Sequence, residues 1–391
     1  MLDSLDLQPP DPLLSLTGLF AADPREGKLD LGVGVYRDEH GRTPVMRAVK
    51  AAEARLLAGQ DTKAYVGPSG DLQFIEALRD LVFGASASKA RAFGLQTPGG
   101  TAALRAAADL LVRSGAGPVW VGRPTWANHD PIFAAAGLAS RGYDYFAPAT
   151  QSVDFERLMS AARTAARGDV MLLQAGCHNP TGADLSADQW RALAEVIGAR
   201  GLIAFIDVAY QGLGAGLEED IAGAMAVVEA ADEALVAVSC SKSFGLYRER
   251  TGALFAVTKP AARSAVESNM LAIARANYSM PPDHGAAVVR TILSDPLLAA
   301  DWRLELAQMQ DRIRAIRLRL AEVGANAGLD LGALAGQQGM FSLLPLSGEE
   351  IRTLREDNAI YMTGAGRVNL AGLRIDEAEA VVSALAALAG R

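Results

Sequence analysis

The sequence predicts an α/β protein whose sheet is mostly parallel and covered by helices on both faces. Strand-like and helix-like segments alternate through the middle of the chain. The strand-like segments are apolar throughout, which is typical of strands that are buried on both faces. Polar residues follow the ends of these strands, where ligands bind on parallel sheets. These residues are Asn179, Asp207, Tyr210 and Lys242.

The individual elements follow from hydrophobic periodicity in chain order. Helices are predicted where apolar residues recur at helical spacing, at 101–113, 154–166, 187–200 and 301–324. Strands are predicted at the short apolar runs 118–121, 170–174, 202–206, 234–238 and 253–257. The last helix would extend over about 36 Å. We therefore expect it to link the sheet domain to a smaller C-terminal domain.

The length of 391 residues allows about two to three domains. Three segments are predicted: an N-terminal arm with part of the small domain at 1–43, a large domain at 44–305, and a small domain at 306–391. The formal net charge of −8 argues against nucleic acid as a partner.

The sequence also predicts a cytoplasmic location. Cys177 and Cys240 are isolated on strand-like segments, which is typical of a reducing compartment and excludes a disulfide scaffold. Asp3 and Asp6 make the N-terminus acidic, whereas a signal peptide begins with basic residues. No apolar run reaches membrane-spanning length. The four histidines show no metal-ligand spacing, so no metal site is expected.

Lys242 follows the apolar run 234–238, and burial there would lower its pKa and favour the free amine. A neutral amine is a nucleophile for carbonyl groups. Ser239, Ser241 and Arg250 are close enough in sequence to hold a phosphate beside it. An amine next to a phosphate site indicates a phosphorylated aldehyde cofactor, pyridoxal phosphate. A solvated loop lysine is the alternative interpretation.

The segment 97–101, Thr-Pro-Gly-Gly-Thr, places two glycines directly before a predicted helix. Exposed N–H groups at a helix N-terminus form an anion site, and glycine lets a ligand approach the backbone. The sequence contains no dinucleotide fingerprint and no Walker A lysine, so a nucleotide site is not favoured. An ordinary turn from strand to helix is the alternative.

Asp207 ends an apolar strand, where a carboxylate is costly to bury without a partner. The protonated ring nitrogen of the cofactor would be such a partner. Tyr210 and Asn179 could then bond the ring oxygen, and Trp126 could stack on the ring. The alternatives are a helix-capping aspartate, a plain turn around Asn179 and a tryptophan of the core.

Eight segments together resemble one family, the class I pyridoxal-phosphate aminotransferases, which include the aspartate and aromatic amino acid aminotransferases. The resemblance begins near residue 11 and runs to the C-terminus. The matching segments, in chain order, are 31–36, 97–101, 126–129, 177–182, 207–212, 241–247, 275–279 and 366–372. The resemblance implies fold type I of the pyridoxal-phosphate transferases, with a smaller α/β domain beside the large one.

The resemblance implies a role for each matching residue around the cofactor. Lys242 would bind the cofactor covalently and then move the Cα proton, and Asp207 would bind the ring nitrogen. Asn179 and Tyr210 would bind the ring oxygen, and Trp126 would stack on the ring. The residues that would hold the phosphate are Gly99, Gly100, Thr101, Ser239, Arg250 and Tyr65 of the partner subunit.

The resemblance also implies how amino acids and 2-oxo acids such as 2-oxoglutarate bind. Arg367 would clamp the α-carboxylate, and Gly34, Trp126 and Asn179 would line the substrate site. Arg275 of the partner subunit would meet a side-chain carboxylate. A site shared in this way implies a homodimer. Cis peptide bonds are expected at residues 123–124 and 179–180.

Several positions depart from the family's pattern. Gln174 replaces a histidine that supports the aspartate from behind, a task that would pass to His129. Ser243 replaces a common asparagine. Met280 and Ala64 replace polar residues, which adds apolar surface near Arg275.

The departures at Met280 and Ala64 favour an aminotransferase for aromatic and dicarboxylic amino acids. A strict aspartate aminotransferase remains open, and so does a non-catalytic sensor module. The sensor module would be expected to lack one of the site residues or to carry an added domain.

Overall fold

The computed structural model of the chain describes residues 2–7 and 12–389. Residue 1, residues 8–11 and residues 390–391 lie outside that description. The outer ends of the predicted arm and small domain, and the start of the resemblance near residue 11, therefore lie outside it as well. None of the described helices combines the length and the apolar character that a membrane crossing requires.

Residues of high β-propensity form most of the strands. Within the described residues the strands are β1 (Leu29–Asp30), β2 (Ala92–Pro98), β3 (Val119–Arg123), β4 (Ser140–Asp144), β5 (Phe146–Ala147), β6 (Ser152–Val153), β7 (Val170–Gln174), β8 (Ile203–Val208), β9 (Ala234–Ser239), β10 (Thr251–Val257), β11 (Phe341–Leu343), β12 (Ile360–Tyr361) and β13 (Arg367–Asn369).

Seven of these strands form the central sheet, in the order β2-β10-β9-β8-β7-β3-β4. The strands from β9 to β4 pair in parallel, and β10 runs antiparallel to both of its neighbours. The predicted α/β fold with a mostly parallel sheet is therefore confirmed. The sequence did not predict β2, which contains Gly94 and ends at Pro98, or the exposed polar edge strand β4.

The helices form layers on both faces of this sheet and also build parts of the chain that lie outside it. Within the described residues they are α1 (Pro12–Ala22), α2 (Arg47–Gly59), α3 (Leu72–Phe83), α4 (Gly99–Ser114), α5 (His129–Ala136), α6 (Phe155–Thr164), α7 (Ala187–Arg200), α8 (Glu219–Ala230), α9 (Arg263–Asn277), α10 (His284–Ser294), α11 (Pro296–Asn326), α12 (Ala333–Gly336), α13 (Gly348–Asn358) and α14 (Ala378–Ala389). The helices predicted from the sequence correspond to α4, α6, α7 and α11.

The long helix α11 begins five residues earlier and ends two residues later than predicted. Asp295 caps it by accepting hydrogen bonds from the N–H groups of Leu297 and Leu298. Pro296 occupies the first helical position, where its missing N–H costs nothing. The cap and the proline therefore fix the start of the helix ahead of its amphipathic part.

The two faces of the sheet belong to two different hydrophobic clusters. Along β9, Ala234, Val236 and Val238 face one cluster, whereas Leu235 and Ala237 face the other. This alternation is the geometry of a strand between two layers of helices. A third cluster joins residues of β1 and the loop after it to residues between 316 and 388.

Helix α11 supports the segment that carries Lys242. Trp302 is fully buried, and its ring stacks on Phe244 with centroids 4.5 Å apart and planes 5° apart. The indole N–H of Trp302 donates to the carbonyl oxygen of Ser243 at 2.8 Å. The backbone next to Lys242 is therefore held by both a stacking contact and a hydrogen bond.

Candidate active site

A cavity of about 150 Å³ lies at the carboxyl ends of the parallel strands β7, β8 and β9. The sequence predicted nine of the residues that line it, namely Gly100, Thr101, Trp126, Asn179, Asp207, Tyr210, Ser239, Lys242 and Arg250. Ser241, which the sequence placed beside a possible phosphate, lines it as well, whereas Leu104, Gln174 and Ala209 line it without having been predicted to do so. The fold therefore gathers residues that are up to about 150 positions apart in the sequence.

The Lys242 amine lies in this cavity, 4.9 Å from the centre of the Tyr210 ring. Burial lowers the pKa of Lys242 to about 8, although the nearby Asp207 carboxylate opposes this shift. Arg250 and Arg367 lower the pKa further by like-charge repulsion. Burial therefore increases the unprotonated fraction of the amine near neutral pH, which is the form that a nucleophile requires.

The start of α4 forms a cradle that only glycine permits. Gly99 has a φ of +78°, and a Cβ atom there would lie 2.7 Å from a guanidinium nitrogen of Arg250. A Cβ atom on Gly100 would lie 3.0 Å from the Cβ atom of Ser239. The free N–H groups at the start of α4 thus lie beside a hydroxyl and a guanidinium group, which is a donor set suited to a phosphate.

Asp207 is held by a chain of hydrogen bonds that starts outside the cavity. His129 Nε2 lies 3.2 Å from Asp207 Oδ2, and because a carboxylate only accepts, the ring nitrogen donates. His129 Nδ1 lies 2.8 Å from the hydroxyl oxygen of Thr125. The edge of Trp126 meets the His129 ring at a centroid distance of 5.3 Å. His129 therefore contacts Asp207 from behind, as expected from the sequence.

Asn179 lies between Tyr210 and Arg367. Its Nδ2 donates to the Tyr210 hydroxyl oxygen at 3.1 Å, and its Oδ1 accepts from Arg367 Nη1 at 3.4 Å. The peptide bonds Arg123–Pro124 and Asn179–Pro180 are both cis, which confirms that expectation. Burial raises the pKa of Tyr210 well above its usual range, so its hydroxyl stays protonated.

Arg367 connects this cluster to the segment around Gly34. Its Nη2 donates to the carbonyl oxygen of Gly32 at 2.6 Å, and its guanidinium lies 4.7 Å from the Phe341 ring centre. Within the described residues its buried Nε–H has no hydrogen-bond partner. A Cβ atom on Gly34 would lie 2.9 Å from Phe341 Cζ, so a larger residue there would have to displace the Phe341 ring. Arg367 thus retains a free donor for an anion.

Tyr65 and Arg275 do not line this cavity. Tyr65 is 92% exposed, and Arg275 is exposed and donates to the hydroxyl of Ser279. The segments that carry them meet where the Val66 N–H donates to the Met280 sulfur at 3.2 Å. Their roles in a shared site therefore stay predictions.

Gln174 lies beside Asp207 in the sheet but does not support its carboxylate. It is paired with Asp207 across β7 and β8, but its side chain bonds the backbone of Asn179 and not the carboxylate. Because Gln174 lines the cavity and bonds Asn179, the turn 177–179 is part of the site.

Cys177 and Cys240 are buried and free, and both lie just beyond strands rather than within them.

Sequence reasoning missed two residues that shape the site. Phe341 packs edge-on against Tyr210, with centroids 5.8 Å apart, beneath Arg367. The Tyr247 hydroxyl accepts from the Tyr36 N–H at 2.9 Å and so joins the Lys242 segment to the loop around Gly34. Tyr247 lies in a segment that carries the resemblance, whereas no sequence signal marks Phe341.

These observations fit pyridoxal phosphate. The glycine cradle with Arg250 suits a phosphate, and Asp207 suits a protonated ring nitrogen. Tyr210 and Asn179 offer donors for a ring oxygen, and Lys242 offers a free amine for the aldehyde. The unpartnered Nε–H of Arg367 remains available for a substrate carboxylate.

Comparison with known proteins agrees with this geometry. A model of the family described as aminotransferase class I and II matches residues 26–385. The tyrosine aminotransferase of Rhizobium meliloti (strain 1021) is 54% identical over 389 residues, which cover 99% of this chain and 100% of that protein. The aspartate aminotransferase of Escherichia coli (strain K12) is 43% identical over 397 residues, covering 99% of this chain and 100% of that protein.

The chain is also similar to a solved structure, the aromatic-amino-acid aminotransferase from Burkholderia pseudomallei covalently bound to pyridoxal phosphate. The TM-score is 0.94 at 37% identity, and the match covers 99% of each chain. Fold, site and sequence therefore agree. The chain belongs to the class I and II aminotransferases, a family of pyridoxal-phosphate-dependent enzymes.

Proposed function

We propose that the protein transfers amino groups from aromatic and dicarboxylic L-amino acids to 2-oxoglutarate. The observation that carries this proposal is the cavity in which the free amine of Lys242 lies with Asp207 and the glycine cradle. The aromatic part is supported by 54% identity to a tyrosine aminotransferase. The dicarboxylic part is supported by 43% identity to an aspartate aminotransferase.

Bound pyridoxal phosphate would supply an electron sink that makes the Cα–H of the substrate acidic. Lys242 would hold the cofactor covalently and later carry the Cα proton on its amine. Asp207 would keep the ring nitrogen protonated, with His129 donating to its carboxylate from behind. Asn179 and Tyr210 would donate to the ring oxygen. These assignments rest on the contacts and the free amine described above.

The other residues would bind and orient. The phosphate would be held by Gly99, Gly100, Thr101, Ser239 and Arg250, together with Tyr65 of the partner subunit. Trp126 would stack on the ring, and Arg367 would clamp the α-carboxylate above Phe341. Gly34 and Asn179 would line the substrate site, and Arg275 of the partner subunit would meet a side-chain carboxylate.

The proposal includes a homodimer with shared sites. Its support is that Tyr65 and Arg275 are exposed, lie outside the cavity and belong to segments that contact each other. A hybrid of Lys242→Ala and Arg275→Ala protomers tests it. Because one of its two sites would then contain both an intact lysine and an intact arginine, mixing the inactive variants should restore aspartate activity. No recovery in a verified hybrid would reject shared sites.

We also propose a cytoplasmic location and keep the predicted boundaries of 1–43, 44–305 and 306–391. The location is supported by two buried, free cysteines. The boundaries are supported by the third hydrophobic cluster, which joins Leu31 to residues beyond 316. Helix α11 crosses the boundary predicted at residue 305.

Borohydride treatment tests the role of Lys242 directly. Reduction of the cofactor-loaded enzyme should leave a stable label on Lys242, as located by peptide mass spectrometry. Lys242→Ala should still bind the cofactor, since Asp207 and the phosphate cradle remain, but should lose nearly all turnover. A stable label on another lysine would reject the assignment.

A substrate panel tests the range. Aspartate, glutamate, tyrosine, phenylalanine and tryptophan should each donate to 2-oxoglutarate, and kcat/KM is measured for each. A ratio of phenylalanine to aspartate below about 10⁻³, equivalent to about 4 kcal/mol, would leave a strict aspartate aminotransferase.

A further inference from the structure

We propose that Gln174 is a positioning residue, whose side-chain amide clamps the backbone of Asn179 and so sets the hydrogen bond from Asn179 to the cofactor's ring oxygen. This inference rests on the proposed function, because it requires pyridoxal phosphate in the cavity. It assigns a task to a residue at which the chain departs from its family's pattern.

The clamp consists of two hydrogen bonds to one residue. The Asn179 N–H donates to Gln174 Oε1 at 2.9 Å, and Gln174 Nε2 donates to the Asn179 carbonyl oxygen at 3.0 Å. A glutamine can make both bonds because its planar amide carries a donor and an acceptor. The following residue, Pro180, has no N–H, so this turn has few backbone bonds of its own. The side-chain amide of Gln174 supplies two hydrogen bonds in place of the missing backbone bonds.

Gln174 itself is held by the sheet. It is the last residue of β7 and lies opposite Asp207 in the parallel ladder with β8. On the other side of the turn, the Asp184 carboxylate accepts from the N–H groups of Cys177 and His178 at 2.7 and 2.9 Å. Gln174 therefore holds the turn from one side and Asp184 holds it from the other. Of these two residues, Gln174 is the one that also lines the cavity.

The position of Asn179 matters because its amide has two further neighbours. Nδ2 lies 3.1 Å from the Tyr210 hydroxyl oxygen, and Oδ1 lies 3.4 Å from Arg367 Nη1. Both distances are at the long end for hydrogen bonds, so a displacement of a few tenths of an ångström decides whether the bonds persist. A donor to an anionic oxygen favours the anion, so a displaced Asn179 leaves the ring oxygen more basic.

The experiment is a pH titration of the visible absorbance of the cofactor-loaded enzyme. Gln174→Met keeps the length of the side chain but makes neither hydrogen bond. In Gln174→Met the midpoint of the absorbance titration should rise by about 0.5–1 pH unit, because the ring oxygen becomes more basic. Asn179→Ala should shift the midpoint in the same direction. The charged and titratable groups around the cavity remain in this variant, namely Asp207, Tyr210, Lys242, Arg250, Arg367, His129, His178 and Asp184.

A second variant covers a failure of Gln174→Met to fold. Gln174→Leu is also uncharged and makes neither hydrogen bond to Asn179. It is expected to raise the midpoint as well.

Gln337 offers a matched control. It is buried, its Nε2 donates to the Gln151 carbonyl oxygen at 3.0 Å, and its Oε1 accepts from the Ser342 hydroxyl at 2.6 Å. Gln337→Met therefore removes a comparable amide bridge away from the cofactor cavity. It should lower Tm but leave the pH midpoint unchanged, which separates positioning from general stability.

The outcomes distinguish this inference from the proposed function. If both Gln174 variants keep the wild-type midpoint while Asn179→Ala shifts it, the clamp has no role and the function stands. If Asn179→Ala loads cofactor and also keeps the midpoint, the ring-oxygen assignment fails and the inference fails with it. A raised midpoint in the Gln174 variants and an unchanged one in Gln337→Met supports the inference.

Discussion

His129, which does not line the cavity, donates from Nε2 to the Asp207 carboxylate at 3.2 Å. Asp207→Ala should lower the rate of the amino-acid half-reaction by about 10²–10⁴-fold, because loss of a buried ionic partner costs about 3–5 kcal/mol. His129→Leu should lower it by roughly 10–150-fold, the value of a hydrogen bond to a charged group. Stopped-flow absorbance measures both rates, and activity within tenfold of wild type in Asp207→Ala would contradict the assignment.

Lys242 should make the stability of the cofactor-free protein depend on pH. Burial lowers its pKa to about 8, whereas an unfolded lysine titrates near 10.4. Between these values the unfolded chain binds the extra proton, so stability rises with pH across this window. Below pH 8 the cost is at most about 3 kcal/mol. Lys242→Met should therefore be more stable than wild type at pH 7 in urea unfolding, and this advantage should shrink from pH 8 to pH 10. An advantage that stays constant would contradict the pKa assignment.

The two arginines should separate the substrate classes. Arg275→Ala should lower kcat/KM for aspartate by the equivalent of about 2–5 kcal/mol, which is the cost of losing one partner of a buried charge pair. The kcat/KM for phenylalanine should stay nearly unchanged. Arg367→Ala should impair both substrates, because every amino acid carries the α-carboxylate. Steady-state kinetics with both donors decide this. Equal losses for aspartate and phenylalanine in Arg275→Ala would count against its role.

Gly34 and Phe341 should be energetically coupled. Gly34→Ala places a Cβ atom 2.9 Å from Phe341 Cζ, so the free energy of unfolding should fall by about 1–3 kcal/mol. Phe341→Leu in the same chain should restore part of that loss, as a double-mutant cycle would show. Gly18→Ala is the control, because no atom lies within 4 Å of the added methyl group. Additive losses in the double variant would exclude the contact.

Trp302 should contribute to stability through its contact with the Lys242 segment. Trp302→Ala removes a fully buried ring and its bond to Ser243, and should lower the free energy of unfolding by about 3–5 kcal/mol. Leu318 lies on the same helix and is 49% exposed, so Leu318→Ala should change it by no more than about 0.5 kcal/mol. Urea unfolding at one protein concentration measures both. Equal losses would mean that Trp302 has no special role.

The alternating elements and most residues of the cavity could be predicted from the sequence alone. Runs such as 170–173 and 234–238 are apolar over their whole length, because strands between two helical layers have no exposed face. Asp207 lies near the end of β8 and Lys242 lies three residues beyond the end of β9, so the parallel pairing of these two strands brings both residues to one edge of the sheet. The order of matching segments then connected these residues to one family.

The remaining relationships depend on how distant parts of the chain pack together. The antiparallel direction of β10, the strand β2 that pairs with it, and the exposed edge strand β4 depend on which strands become neighbours. Gln174 bonds the Asn179 backbone because the turn 177–179 folds back over the end of β7. Phe341 meets Gly34 across more than 300 residues of chain. Such contacts between distant residues arise from packing of the folded chain, and no local pattern in the sequence encodes them.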